Sequence, residues 1–480
     1  MPRWSRAAIV LVVNALACSA PVDTPKPAPH ALKWLERVDQ ERVNAELTTL
    51  LQGYLRVDTA NPPGNETEGA RYLAKALEQE GIPYEILEFA PGRGSLVATL
   101  PATGTATAGP LCLLSHIDVA TAEPERWPQD KGPFSGAIDD GMLWGRGALD
   151  MKGMGALELV TFLWLKRLAV PLTRPVTLIA VADEESGNQG MKFLVANHWD
   201  KLRCEHMVNE GGMPIRDLLL EGQSVAAISV AEKGVLWVRM TAHGEAGHGS
   251  TPLPGRAPER LMQAVQKIQA RKIEARVDPS LVEMLQQVGR SKGGVLGWVL
   301  QNPEPIMPLI TWGLMRQPMT RAALTDTANI TGFSGALEPN VIPSQVTAQI
   351  DCRLLPGTTP EQMLERLKDA VDHDPNITFD VIAASPANGS TWDDPFFRAL
   401  AAHATAGRSD MVAGPVLSVG YTDSLLARPK GTRAYGFVPI EIPQELAATM
   451  HGRDERVPLR ALHQGLRVLM GAVLEVSTAP

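Results

Sequence analysis

Short apolar runs alternate with helical stretches over residues 84–197, and this alternation leaves little choice of fold class. The pattern predicts strands at 84–89, 95–100 and 111–114, a helix at 153–168, a strand at Val176–Val181 and a helix at 189–197. Helices at 41–55 and 67–80 precede them. The later strand runs are almost wholly apolar, as strands covered on both faces are. Strands alternating with helices build an α/β layer.

The rhythm changes after Val230. Strand, helix, two strands, helix and strand follow at 235–242, 257–271, 328–333, 346–353, 360–371 and 377–382. That βαββαβ order is ferredoxin-like. Residues 277–325, rich in Leu, Met and Trp, interrupt it and read as an insertion packing on the small domain or at a subunit contact. From Trp392 the α/β pattern resumes, with a helix at 395–406, a strand at 432–437 and a helix at 459–476. The expected organisation is an α/β catalytic domain in two parts, 41–230 and 384–480, split by an inserted α+β domain at 231–383. At 480 residues the chain is long enough for both cores.

The N-terminus has another purpose. Arg3 and Arg6 precede an apolar run at 7–17, the pattern of a secretory signal peptide over 1–20. Ala15-Leu16-Ala17-Cys18 loosely resembles a bacterial lipoprotein box, which would tether the chain to a membrane through lipidated Cys18. Cleavage after Ala17 or Ala20, giving a soluble exported protein, is the alternative. A proline-rich linker over 21–40 suits either outcome. The expected location is therefore exported, periplasmic or lipid-anchored in a bacterium. Cys112, Cys204 and Cys352 are widely spaced and imply no disulfide framework. A net charge of -8 without a basic stripe excludes nucleic acid as a partner.

Chemistry gathers where apolar strands end. Leu111 to Ser115 leads into His116-Ile117-Asp118, whose spacing puts both polar side chains on one face. Asp118 would then steady the imidazole of a metal-binding His116, or serve only in a turn. Gly145 to Gly153 encloses Asp150 ahead of a helix, where it would face inward or cap that helix. Val176–Val181 runs through Ala182-Asp183 into Glu184-Glu185, a pair of carboxylates for a metal and a proton, or for capping the next helix. Glu210 follows another apolar run, and His451 precedes the last helix. Together His116, Asp150, Glu185, Glu210 and His451 suit two borderline cations bridged by one carboxylate, with zinc leading and cobalt or manganese also accommodated.

Several stretches then stand in a telling order: SHIDVA (115–120), GRGALDMKGMG (145–155), ADEESG (182–187), NEGG (209–212), AGHGSTP (246–252), NVIP (340–343), DCRLLPG (351–357), GYTDS (420–424) and HGRDERV (451–457). In these the chain resembles the co-catalytic di-zinc aminoacylase/carboxypeptidase metallopeptidases, which include acetylornithine deacetylase, succinyl-diaminopimelate desuccinylase, glutamate carboxypeptidase and carboxypeptidase S. The resemblance implies that His116 and Glu210 serve one metal, Glu185 and His451 the other, and Asp150 both. It implies that Glu184 is the general base and Asp118 the partner of His116. It makes the inserted domain a lid that also dimerises, with His248 reaching a neighbouring subunit's site and Asn340 and Arg353 holding the substrate's carboxylate. Asn-Glu-Gly-Gly, the HGRDERV ending and the insertion resemble the carboxypeptidase S-like and N-acyl-amino-acid hydrolase branch.

The implied activity is hydrolysis of an amide next to a free carboxylate, in a short peptide or an N-acyl amino acid. A catalytically silent binding or assembly protein with the same fold is the rival. Gly289-Arg290-Ser291-Lys292-Gly293 spells the Gly-x-Ser-x-Gly of a serine hydrolase, but no buried strand precedes it, and it reads as a flexible loop. Without the resemblance, Arg353 reads as a salt bridge at a strand end, and Asp423 as either near the substrate or packing.

Overall fold

A computed structural model describes residues 26–251, 254–335 and 338–480. The signal-peptide stretch and Cys18 lie outside the described residues. The predicted α/β layer is an 11-stranded sheet. Its main strands lie in the order Tyr84–Ala90, Arg93–Leu100, Val176–Val181, Leu111–His116, His206–Asn209, Arg433–Gly436, Ser224–Glu232 and Met411–Ser418. The strands Val176–Val181, Leu111–His116 and His206–Asn209 are parallel neighbours, and every residue in them is buried. Helix Lys152–Arg167 follows the same logic: it is apolar nearly all round and buried through Leu165.

The strands Gly234–His243, Thr327–Ser334, Gln345–Leu354 and Ile377–Ser385 form a separate antiparallel sheet. Gly234–His243 and Gln345–Leu354 are its inner strands, and helices Ala257–Ala270 and Pro360–Ala370 pack on it. This is the βαββαβ arrangement with a core of its own, centred on Leu236, Val238, Ile268, Ile350 and Leu367. Alternating burial along Gln345–Leu354 shows a sheet with one face covered and one open.

Residues 277–325 correct one of their two expected placements, that on the small domain. They hold the helices Pro279–Lys292, Gly294–Gln301, Met307–Leu314 and Pro318–Leu324. The first packs on the large sheet, where Met284 and Val288 meet Val225 and Val412, and not on the small domain. Gly414 makes this possible, since a side chain there would begin 3.0 Å from the Met284 sulfur. The Gly-x-Ser-x-Gly string is no flexible loop either. Ser291 lies in the last turn of a helix started by Asp278, whose side chain accepts from the Ser280 N–H.

Two further expectations need correction. The linker read at 21–40 is folded from Pro29, because proline suits the first helical turn. Helix Pro29–Leu35 buries Ala31 and Leu35 against the C-terminal helix Leu459–Ser477. Cys112 and Cys204 form a disulfide although 92 residues separate them. Adjacent strands bring them together, with Cα atoms 5.7 Å apart. Sequence spacing carries no trace of that closeness.

Candidate metal centre

Three adjacent parallel strands deliver the central residues. His116 ends its strand opposite Val181, and Glu210 follows directly on Asn209. Beyond Val181, Asp183 takes a left-handed φ of 68°, which turns the chain sharply ahead of Glu184 and Glu185. The strand Leu111–His116 has its sequential successor on one side and the next on the other, so connections reverse direction beside it. The carboxyl ends of strands at such a reversal form a natural ligand crevice.

Asp150 lies at the centre. One carboxylate oxygen is 3.1 Å from His116 Nε2 and the other 3.0 Å from His451 Nε2. Glu210 approaches the same His116 nitrogen at 3.6 Å, and Glu185 approaches His451 Nε2 at 3.2 Å. Glu184 joins His116 and Glu210 in a second cluster whose ligand atoms lie within 4.8 Å of one another. The capping alternatives do not apply. Met151 is the N-cap of the helix after Asp150, and Asn188 that of the helix after Glu185.

Asp118 acts differently from expectation. His116 Nδ1–H donates to the Asp118 main-chain carbonyl at 2.8 Å, which leaves Nε2 facing the carboxylates. The Asp118 carboxylate is 3.7 Å from that nitrogen. It instead accepts the backbone N–H groups of Glu184 and Glu185 and the Asn61 amide, at 3.0, 3.0 and 2.8 Å. Asp118 therefore anchors the backbone of the glutamate pair as much as the imidazole. Asn61 also donates to Asp183, and Arg93 joins Asp183 to Glu66.

Glu455, in the HGRDERV stretch, supports the Asp150 loop. It is fully buried, and one oxygen accepts the N–H groups of Gly147, Leu149 and Asp150 while the other pairs with Arg146 at 2.8 Å. The pairing of Arg456–Pro458 with Met142–Trp144 brings this carboxylate to the Asp150 loop. Glu455→Ala leaves a buried Arg146 uncompensated, so it should cost about 3–5 kcal/mol in a denaturant titration. Metal affinity should fall roughly 10–100-fold, as when a ligand loses its support.

The charges explain why such a cluster calls for cations. Burial pulls the His116 imidazole down, but its bond to Asp150 and the nearby acids reverse this and hold it well above the ordinary range. Burial pushes Asp150 up, and the two histidines reverse it to well below the usual carboxylate range. Bonds to Asp150 and Glu185 raise His451 to about 10. Burial and then Glu210 push Glu184 far up, while burial and then Asp150 do the same to Glu210. Asp423, buried and bonded to Asn188, is pushed up to about 7 by that burial. Two imidazoles with the carboxylates of Asp150, Glu184, Glu185 and Glu210 form an N/O donor set with excess negative charge, which fits two divalent cations.

The remaining candidates surround this cluster. Buried Glu232 accepts from Thr422 N–H, Thr422 Oγ1 and Arg428, each at 2.9 Å, and so holds the loop that carries Asp423. Asp423 lies near enough to His116 and Glu184 for their charges to interact. His248 and Asn340 come together on the inserted unit, where Gly247–His248 pairs with Val341–Ile342. His248 is exposed and bonded to Ser250 at 2.7 Å. Arg353 grips Asp351 in two bonds of 2.9 and 3.1 Å, the salt bridge anticipated for it. Among the described residues, none of the three is bonded to a metal ligand.

Comparison with known proteins finds relatives along most of the chain. Residues 112–475 match the family model described as peptidase family M20/M25/M40. The human N-fatty-acyl-amino acid synthase/hydrolase PM20D1 is 28% identical over 379 residues, covering 77% of this chain and 74% of its own. Pig aminoacylase-1 is 25% identical over 443 residues, covering 90% of this chain and 96% of its own. The crystal structure of an M20 family metallo-carboxypeptidase from Sulfolobus solfataricus shares the fold, with a TM-score of 0.67 at 19% identity, over 90% of this chain and 99% of its own.

Proposed function

The chain belongs to peptidase family M20/M25/M40, and on that footing we propose that it is a metal-dependent hydrolase of an amide bond next to a free carboxylate. As a family member it is a metallopeptidase or an N-acyl-amino-acid hydrolase. The observation that carries the finer reading is the Asp150 carboxylate, with one oxygen on each of two histidines and a glutamate beside each histidine.

His116 and Glu210 would hold one cation, His451 and Glu185 the other, and Asp150 both. Zinc is the candidate, with cobalt or manganese compatible with the same donors. Bound cations would supply Lewis acidity toward the scissile carbonyl and a lower pKa for the attacking water. Glu184 takes that water's proton and returns it to the departing amine. Arg353 and Asn340 orient the substrate by its carboxylate, which a guanidinium engages in bidentate fashion. Asp351 occupies Nε and one terminal nitrogen of Arg353, and the other N–H groups remain available to a substrate. His248 would complete the site of a neighbouring subunit, with the inserted unit as lid and dimer contact. The Cys112–Cys204 disulfide supports export, since such bonds persist in oxidising compartments.

The test is a panel of dipeptides and N-acyl amino acids, each with free and amidated C-termini, given to zinc-loaded protein. Amidation should lower kcat/KM roughly 30-fold or more, the loss expected when one partner of a buried charge pair is removed. Equal turnover of both forms would overturn the carboxylate requirement.

A further inference from the structure

The metal centre leaves one surface unexplained, on the insertion. Helices Gly294–Gln301 and Met307–Leu314 contain no charged residue, yet Gly297 is their only buried position among the described residues. Val295 and Trp298 are 56% and 67% exposed, and Leu309 and Trp312 are 66% and 56% exposed. Single exposed apolar residues are ordinary; a concentration of large ones in one short stretch marks an interaction surface. The preceding helix seats this stretch on the large sheet through Met284 and Val288.

The charges flanking it in sequence are mostly positive. Lys292 precedes the first apolar helix, and Arg316 and Arg321 follow the second. All three are exposed, and among the described residues none enters an ion pair. The Arg316 guanidinium lies over the Trp312 ring, 3.4 Å from its centre. Glu304 is the one acidic residue between 293 and 324, in a chain whose net charge is -8.

We propose that these two helices are a peripheral docking surface for an anionic lipid bilayer. Trp298, Leu309 and Trp312 would enter the headgroup region, while Lys292, Arg316 and Arg321 meet the lipid phosphates. Tryptophan favours that depth because its large apolar ring carries one polar N–H. Arginine and lysine keep their stems along apolar surface and their charges in the polar layer. Short apolar helices with basic flanks lie in such an interface and need not cross it. No helix among the described residues is long and apolar enough to cross a membrane. A second copy of the chain suits the surface less well. A two-fold contact would bring six cations into one interface, with only Glu304 from each copy's stretch to answer them.

Hydrogen–deuterium exchange on the full zinc-loaded chain tests this, with vesicles of phosphatidylcholine alone or mixed equally with phosphatidylglycerol. Amides over 294–314 should exchange more slowly with the mixed vesicles and less so with phosphatidylcholine alone. Arg316→Ser and Arg321→Ser should each weaken that protection about fivefold in lipid concentration, the contribution of one basic residue near an anionic surface. Trp298→Ser with Trp312→Ser should remove it while turnover of a soluble substrate stays at the wild-type level. Unchanged exchange over 294–314 overturns the proposal, even if the chain floats with vesicles through its first residues. Protection that appears without lipid and rises with protein concentration also overturns it, and assigns the surface to a second copy.

Discussion

Glu184→Gln should lower kcat by about 10²–10⁴-fold, the range carried by a positioned general acid–base group. The substitution is nearly isosteric and leaves the Glu184 N–H on Asp118 untouched. It removes one capacity only, that of accepting and returning a proton. KM for an N-acyl amino acid should stay within a few-fold, because substrate orientation is assigned to Arg353 and Asn340. A variant that keeps turnover while KM rises would make Glu184 a binding residue.

Asp150→Ala has the other large effect, and its readout does not require activity. The carboxylate is the shared partner of His116 and His451, so its loss should weaken binding at both positions together. Wild-type protein should gain about 2.7 kcal/mol of stability when free zinc reaches 100 times its Kd. The variant should gain almost none over the same titration, and its turnover should fall to background. A variant that still shows a full zinc-dependent rise in Tm would remove Asp150 from the bridging position.

Much of the site was legible because its residues follow a physical rule. His116 ends a buried apolar strand, Glu210 directly follows another, and Glu184 and Glu185 lie just beyond a third, where the strand ends open on a crevice. The βαββαβ unit was legible for a similar reason, since its strands and helices carry unbroken periodicity. What escaped notice lacks a local signal. The strand Ser224–Glu232 is built largely from Ser and Ala, and Met411–Ser418 contains Gly414-Pro415, which reads as a breaker. Pro415 is accommodated because its strand pairs along one side with Ser224–Glu232 and meets the helix Pro279–Lys292 through Val412. Glu455 and Asn61 act through partners hundreds and tens of residues away. The disulfide likewise joins positions that only strand order makes neighbours.

The division of labour within Glu184-Glu185 is the centre of the account, and metal content tests it most directly. Both side chains stand close enough to a histidine to serve as ligands. Wild-type, Glu184→Gln and Glu185→Gln proteins should be loaded with zinc, freed of excess and measured for metal per chain. Glu184→Gln should hold the wild-type amount, about two per chain as a bridged pair requires, and Glu185→Gln should hold less. Equal loss from both variants, or loss from Glu184→Gln alone, would contradict the assignment.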